Sequence, residues 1–321
     1  MAQDLIDFEN EAVRRERSLV LATLVAASGS ASKKIGAKML VGESGRLIGG
    51  VTIGGCIDAQ VIEAADALIA RGGRDLLTIA LDDDEAWEIG LTCGGAVEVL
   101  LERVQPNDDG DAVVAAHRAA AALVARGESA AIVTPIEPAG APVALAESAL
   151  AGWNAEGRVF IDRIAPPTTL VIVGAGQIAM SLATFARELE LRAVIVDGRE
   201  RYATRERFPD ASEIRIGMPS ELVSAMPLGA RDAVVLVAHD YKYDLPVLRH
   251  VLRSRVGYVG MLGSKRRGGA VRDILREEGF TDAELARLHS PIGLDLGGRS
   301  AAEVALSIVA ELVAVLHAKR A

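Results

Sequence analysis

Cys56 and Cys93 are the only two cysteines of the chain, and each stands beside a pair of glycines, in GGCIDAQ (54–60) and TCGGAVE (92–98). Glycine pairs let the backbone approach a bulky ligand closely, or adopt dihedral angles closed to other residues. A thiol in such a setting can serve as a nucleophile, a sulfur carrier or a soft metal ligand. It can equally be a small apolar residue beside a tight turn. The residues alone leave both uses open.

A second constellation lies further on, in TTLVIVGAGQIAMSLATFARELELRAVIVDGR (168–199). Gly174 and Gly176, with Ala179 in the third place, give the dinucleotide fingerprint in its Ala-ended form. An apolar strand precedes the turn, a helical pattern follows it, and Asp197 ends the next strand. Glycines in this arrangement bring backbone N–H groups and a helix dipole up to a pyrophosphate. Asp197 is then expected to accept from ribose hydroxyls, its plain alternative being a strand cap. Two further groups fall at predicted strand C-termini, the edge where open α/β sheets bind ligands: His239-Asp240, and Gly263-Ser264-Lys265-Arg266-Arg267. Ser264 opens a helix, so with Lys265 it could hold a phosphate or carboxylate. A solvated basic turn and a structural histidine are the alternatives here. Ser300 and Glu303 form a capping box for the last helix and need no ligand to explain them.

The elements that must position these groups divide the chain in two. Residues 4–17 have helical spacing, and 19–28 read as a buried strand. Residues 38–43 and 46–55 read as a strand pair joined at Ser44-Gly45. After Cys56 the period changes to helical, with Ile57, Val61, Ala65 and Leu68 on one face, and Gly72-Gly73 end that helix. Strands are predicted at 76–81 and 96–104, so Cys56 falls at a strand-to-helix junction and Cys93 just before a strand. A short helix at 117–127 and strands at 130–136 and 159–164 lead to Pro166-Pro167, a predicted domain boundary near residue 165. The second half continues with apolar runs at 213–217, 233–240 and 257–264, the mark of parallel strands covered on both faces. The expected fold class is α/β, with a mixed α/β domain over 1–165 and a Rossmann-like parallel sheet over 166–321.

Composition narrows the function. The chain has 321 residues, half of them hydrophobic, with two Trp, four Tyr and five Phe, so its cores rest on aliphatic side chains. A formal net charge of −9 argues against a nucleic-acid partner, while local arginines can still cradle a phosphate. Two cysteines do not make a disulfide framework, the first residues carry no apolar signal core, and no uncharged apolar run suits a membrane span. A cytoplasmic, soluble protein is expected.

Taken together, these segments resemble the xanthine dehydrogenase accessory, or XdhC/CoxI, family. The likeness runs from LATLVAASGSASKKIGAKMLV through GGVTIGGCIDAQVIEAA and GLTCGGAVEVLLE to FIDRIAPPTTLVIVGAGQIA. It continues in VDGRERYATRERFPDA, VAHDYKYD, YVGMLGSKRR and HSPIGLDLGGRSAAEVALSIVAE. Two departures are Ile53, where the family usually has Ser, and Gln177, where it commonly has His. The resemblance implies an accessory factor rather than a metabolic enzyme. Such a protein binds molybdenum cofactor (molybdopterin, in one form a cytosine dinucleotide), promotes its sulfuration with a cysteine desulfurase, and passes it to an apo molybdenum hydroxylase. On this reading Cys56 is the metal or sulfur contact, with Cys93 as a second thiol. Gly54, Gly55, Gly174, Gly176, Gln177, Asp197, His239, Ser264 and Lys265 surround the cofactor, and the protein acts as a homodimer. The alternative is an NAD(P)-dependent oxidoreductase, since the same glycine turn and Asp197 suit NAD(P).

Overall fold

The computed structural model describes residues 5–27, 35–52, 54–81, 95–136, 140–152, 157–238 and 240–318. The chain folds into two compact units that meet in sequence at Pro166 and Pro167.

The first unit is built on α1 (Glu11–Arg14), β1 (Leu19–Ala27), β2 (Lys38–Gly42), β3 (Leu47–Gly50), α2 (Gly55–Arg71), β4 (Arg74–Leu81) and β5 (Gly95–Val104). It continues with α3 (Ala112–Ala125), β6 (Ala130–Pro135), β7 (Val143–Ala146) and β8 (Val159–Ile164). Five strands form an antiparallel sheet in the order β3-β2-β1-β5-β4, and three more form a sheet in the order β7-β6-β8. β1 is apolar almost throughout because it is covered on both faces. Val20, Ala22 and Leu24 point to the side of Ile57, Val61, Ala65 and Leu68 of α2, while Leu19 and Leu21 meet Phe8, Val113 and Val114. Ser44 and Gly45, both at positive φ, make the tight turn from β2 to β3.

Among the boundaries that differ from the expectations, the strands expected over 233–240 and 257–264 end at Leu236 and Met261, and three lie in the first unit. Residues 4–17 do not form one helix: only Glu11–Arg14 is helical, with Asp7 taking the N–H of Glu9 upstream and Asn10 starting the helix as its N-cap by accepting from the Ala12 N–H. Ile6 and Phe8 still reach the core from an irregular backbone. The strand expected over 46–55 ends at Gly50, whose φ of +75° turns the chain. The helix expected at 117 begins at Ala112, since Asp111 caps it by accepting from the N–H groups of Val113 and Val114.

The second unit comprises β9 (Thr169–Val173), α4 (Gln177–Glu188), β10 (Arg192–Asp197), β11 (Glu213–Ile216), α5 (Pro219–Ser224), β12 (Ala233–Leu236) and α6 (Tyr241–Val251). β13 (Tyr258–Met261), α7 (Lys265–Glu277), α8 (Asp282–Ala286), β14 (Leu288–His289) and α9 (Ala301–Ala318) complete it. Its six strands are all parallel, in the order β11-β10-β9-β12-β13-β14. Alternate residues of each strand feed two cores. Leu170, Ile172, Ile195 and Val235 lie with α4 and α9, and Val171, Val173, Val194 and Val234 lie with α6 and α7. The fold class is therefore α/β, with a Rossmann-like sheet in the second unit. Strand order reverses between β9 and β12, which places a crevice beyond their C-terminal ends. Among the described residues no helix is long and apolar enough to cross a membrane.

Candidate functional site

The glycine turn sits at that reversal. Gly174 has φ +108°, and a Cβ there would stand 2.6 Å from the backbone of Ala238, so only glycine lets the turn pass so close to the chain leaving β12. Gly176 differs: its φ is −85° and the space a side chain would enter is open. It is the N-cap of α4, and no side chain caps the first N–H groups of the helix, where Gln177 is exposed. An open face over uncapped N–H groups fits a phosphate.

Asp197 ends β10 and is only 3% exposed. Its Oδ2 accepts from the Ala175 N–H (2.7 Å) and from Arg199 Nη2 (2.8 Å), and its Oδ1 from the Arg199 N–H (2.8 Å) and Arg199 Nε (2.9 Å). Burial pushes its pKa up, but the hydrogen bonds from Arg199 and Ala175 and the charge of Arg199 outweigh this and hold it below the usual carboxylate range. The residue expected to receive a ribose thus clasps the turn and its own Arg199. The guanidinium of Arg199 lies 4.3 Å over the ring of Tyr202, and that of Arg207 lies 5.5 Å from the same ring. Arg207 also donates to the carbonyl of Ala175 (3.0 Å), inside the turn.

At the end of β13, Ser264 caps α7, its Oγ accepting from the Arg267 N–H at 3.2 Å. Lys265 and Arg266 are exposed, as a phosphate-holding role needs, but Arg267 turns inward. It donates to Asp244, a fully buried carboxylate on α6, at 2.7 Å, and lies 4.0 Å over Tyr241. The basic run thus divides into two exposed cations and one structural arginine. Sequence reading missed Asp244, whose only signal is a lone acid among apolar helical positions. It also missed Glu311 on α9, which accepts from Tyr258 (2.5 Å) and from the Gly293 N–H (2.9 Å) and faces His289 Nδ1 at 3.2 Å. Burial, and then the bond to Glu311, push the Tyr258 hydroxyl up.

In the first unit Gly54 is the N-cap of α2 at φ +113°, Gly55 is its first residue and Cys56 its second. The turn into the helix is held by Asp58, whose Oδ1 accepts from Thr52 Oγ1 (2.6 Å) and the Thr52 N–H (3.2 Å). A Cβ at Gly54 would meet nothing within 4 Å. Cys93 and His239 lie outside the described residues. Among the described residues no group of three or more His, Cys, Asp or Glu is placed to hold a metal ion.

With this geometry in hand, known proteins give a consistent likeness. Residues 170–312 match the family model described as the XdhC Rossmann domain, and residues 12–80 match that of the XdhC and CoxI family. The chain is 28% identical over 320 residues to a probable subunit of xanthine dehydrogenase from Bacillus subtilis (strain 168), covering 93% of each. It is 29% identical over 317 residues to the molybdenum cofactor insertion chaperone PaoD of Escherichia coli (strain K12), covering 98% of this chain and 88% of the relative. A crystal structure described as a xanthine dehydrogenase from Bacillus halodurans superimposes with a TM-score of 0.77 at 26% identity, covering 98% of this chain and 96% of that one.

Proposed function

Because the chain belongs to the XdhC and CoxI family, we propose that it is an accessory protein that carries molybdenum cofactor to a molybdenum hydroxylase of the xanthine dehydrogenase type. The observation that carries the reading is likeness along 98% of the chain to a protein named as a molybdenum cofactor insertion chaperone. The cargo is a pterin with a phosphate and, in its cytosine dinucleotide form, a pyrophosphate. The turn from Gly174 to Gly176 supports the phosphate end, because its outer face is open and the first N–H groups of α4 are uncapped. Gln177, Lys265 and the Ser264 hydroxyl are the polar groups offered around that edge, and His239 is assigned there as well.

The metal end of the cargo calls for a soft donor, and Cys56 is the one proposed. A helix N-terminus is a setting that favours a thiolate, and a Cβ at Gly54, the N-cap, would meet nothing within 4 Å. We assign Cys56 to contact with molybdenum or to carrying sulfur toward it, with a cysteine desulfurase as sulfur source and Cys93 as a second thiol. The protein is taken to work as a homodimer. An NAD(P)-dependent oxidoreductase is the competing reading, and it rests on the same turn.

The test is reconstitution of an apo-hydroxylase with the wild-type chain and with Cys56→Ser and Cys93→Ser, reading both molybdenum content and activity. Cys56→Ser keeps the size of the side chain but loses soft ligation and persulfide chemistry. The client should then receive little active cofactor, with Cys93→Ser affected less. Full activation by Cys56→Ser would return that cysteine to a small residue beside a turn. A wild-type chain that neither carries molybdenum nor activates the client would end the chaperone reading itself.

A further inference from the structure

The end of β10 carries an arrangement that names a ligand chemistry. In a dinucleotide fold the acid at this place accepts from a ribose 2′-hydroxyl. Here the carboxylate of Asp197 has about four lone-pair sites, and four N–H groups already fill them, three from Arg199 and one from Ala175. It is also nearly closed to solvent. A ribose hydroxyl could bond to it only by displacing one of these donors. What faces outward instead is the guanidinium of Arg199, 47% exposed.

That guanidinium is held in place. One edge is fixed by Nε and Nη2 on Asp197, and one face rests on the ring of Tyr202 at 4.3 Å. Only two of its five N–H donors are used on protein atoms among the described residues, so three remain for a ligand. A planar fork of free donors suits the oxygens of a phosphate, and a guanidinium plane can also stack against a nucleobase. Arg207, 5.5 Å from the same ring, adds a second positive charge beside the turn.

We propose that the second unit binds a dinucleotide whose ribose, at the end of β10, carries a phosphate monoester, and that Arg199 reads that phosphate. The ligand is of the NADP type, as distinct from NAD, whose ribose offers hydroxyls to an acid already saturated. The inference rests on the NAD(P) reading of the Gly174–Gly176 turn, so an NADP-type ligand and the phosphate end of the cargo compete for that turn.

Calorimetric titration of the full chain with NADP+ and with NAD+ tests it. NADP+ should bind at least tenfold more tightly. Arg199→Ala should lower NADP+ affinity tenfold or more while NAD+ affinity holds or rises, because the substitution frees the Asp197 carboxylate. Arg199→Lys, which keeps the charge without the fork, should fall between. Equal binding of the two dinucleotides, or an Arg199→Ala protein with undiminished NADP+ affinity, overturns the assignment and leaves the turn as a dinucleotide site. Absence of binding by either dinucleotide removes this proposal and the dinucleotide reading together. The wild-type comparison needs no variant, so a folding defect in Arg199→Ala does not blunt the test.

Discussion

Acidification should destabilise the first unit by way of His117. This side chain is 4% exposed on α3, its Nδ1 3.0 Å from the carbonyl of Val113 and its ring edge-on to Phe8 at 5.4 Å. Since that carbonyl only accepts, Nδ1 carries the proton, and the buried Nε2 has no partner among the described residues. Burial, the largest influence, lowers its pKa from 6.5 to about 4; the Val113 bond opposes this and Lys38 adds to it. The folded state therefore keeps His117 neutral where the unfolded chain protonates it. Stability is fully present above about pH 6.5, falls as pH drops through the window from 6.5 to 4, and levels off below.

At about 1.4 kcal/mol per pH unit, the whole window is worth roughly 3 kcal/mol, and moving from pH 8 to pH 5 about 2 kcal/mol. Glu102, in the same unit, runs the other way, because burial raises its pKa against the pull of Arg74. The assay must therefore compare wild type with His117→Leu in urea melts from pH 8 to 4. The wild-type curve should fall relative to the variant by about 2 kcal/mol at pH 5. Parallel curves would refute the assignment of a buried neutral imidazole.

The two turn glycines should part company. Gly174→Ala combines a φ of +108° with a 2.6 Å approach to backbone and should destabilise the second unit by roughly 3 kcal/mol or more, seen in thermal melts. Gly176→Val should leave the melt nearly unchanged and abolish dinucleotide binding in calorimetry, since the open space it fills is where a pyrophosphate approaches. Asp244→Ala, which strands Arg267 at 13% exposure, should cost about 3–5 kcal/mol in urea unfolding. Arg267→Met together with Asp244→Leu should recover part of that loss.

The sheet of the second unit was readable because its strands are buried on both faces and so appear as unbroken apolar runs between glycine and charged turns. The glycine turn was readable because its geometry demands glycine at Gly174. Ser300 and Glu303 were readable as a capping box, and Ser300 Oγ does accept from the Glu303 N–H while Oε2 of Glu303 accepts from that of Ser300. What stayed hidden depends on partners distant in sequence. Nothing local tells that Arg267 meets Asp244, or that Glu311 joins Tyr258 to the loop at Gly293. β14 has two residues, Leu288 and His289, too few for any period to show. The opening segment misled for a different reason: its apolar spacing suits a helix from the start, while Asp7 takes the N–H of Glu9 and Asn10, as N-cap, delays the helix to Glu11.

The clasp between Asp197 and the N–H of Ala175 bears on rates as well as on choice of ligand. It ties the glycine turn to the next strand through a buried carboxylate, so the turn holds its shape before anything arrives. A phosphate then meets a finished surface, and none of its binding energy goes into ordering backbone. Encounter should proceed at a pace set by diffusion and orientation, alike for every phosphate-bearing ligand that fits. Ligands that bind with different strength should differ in how long they stay.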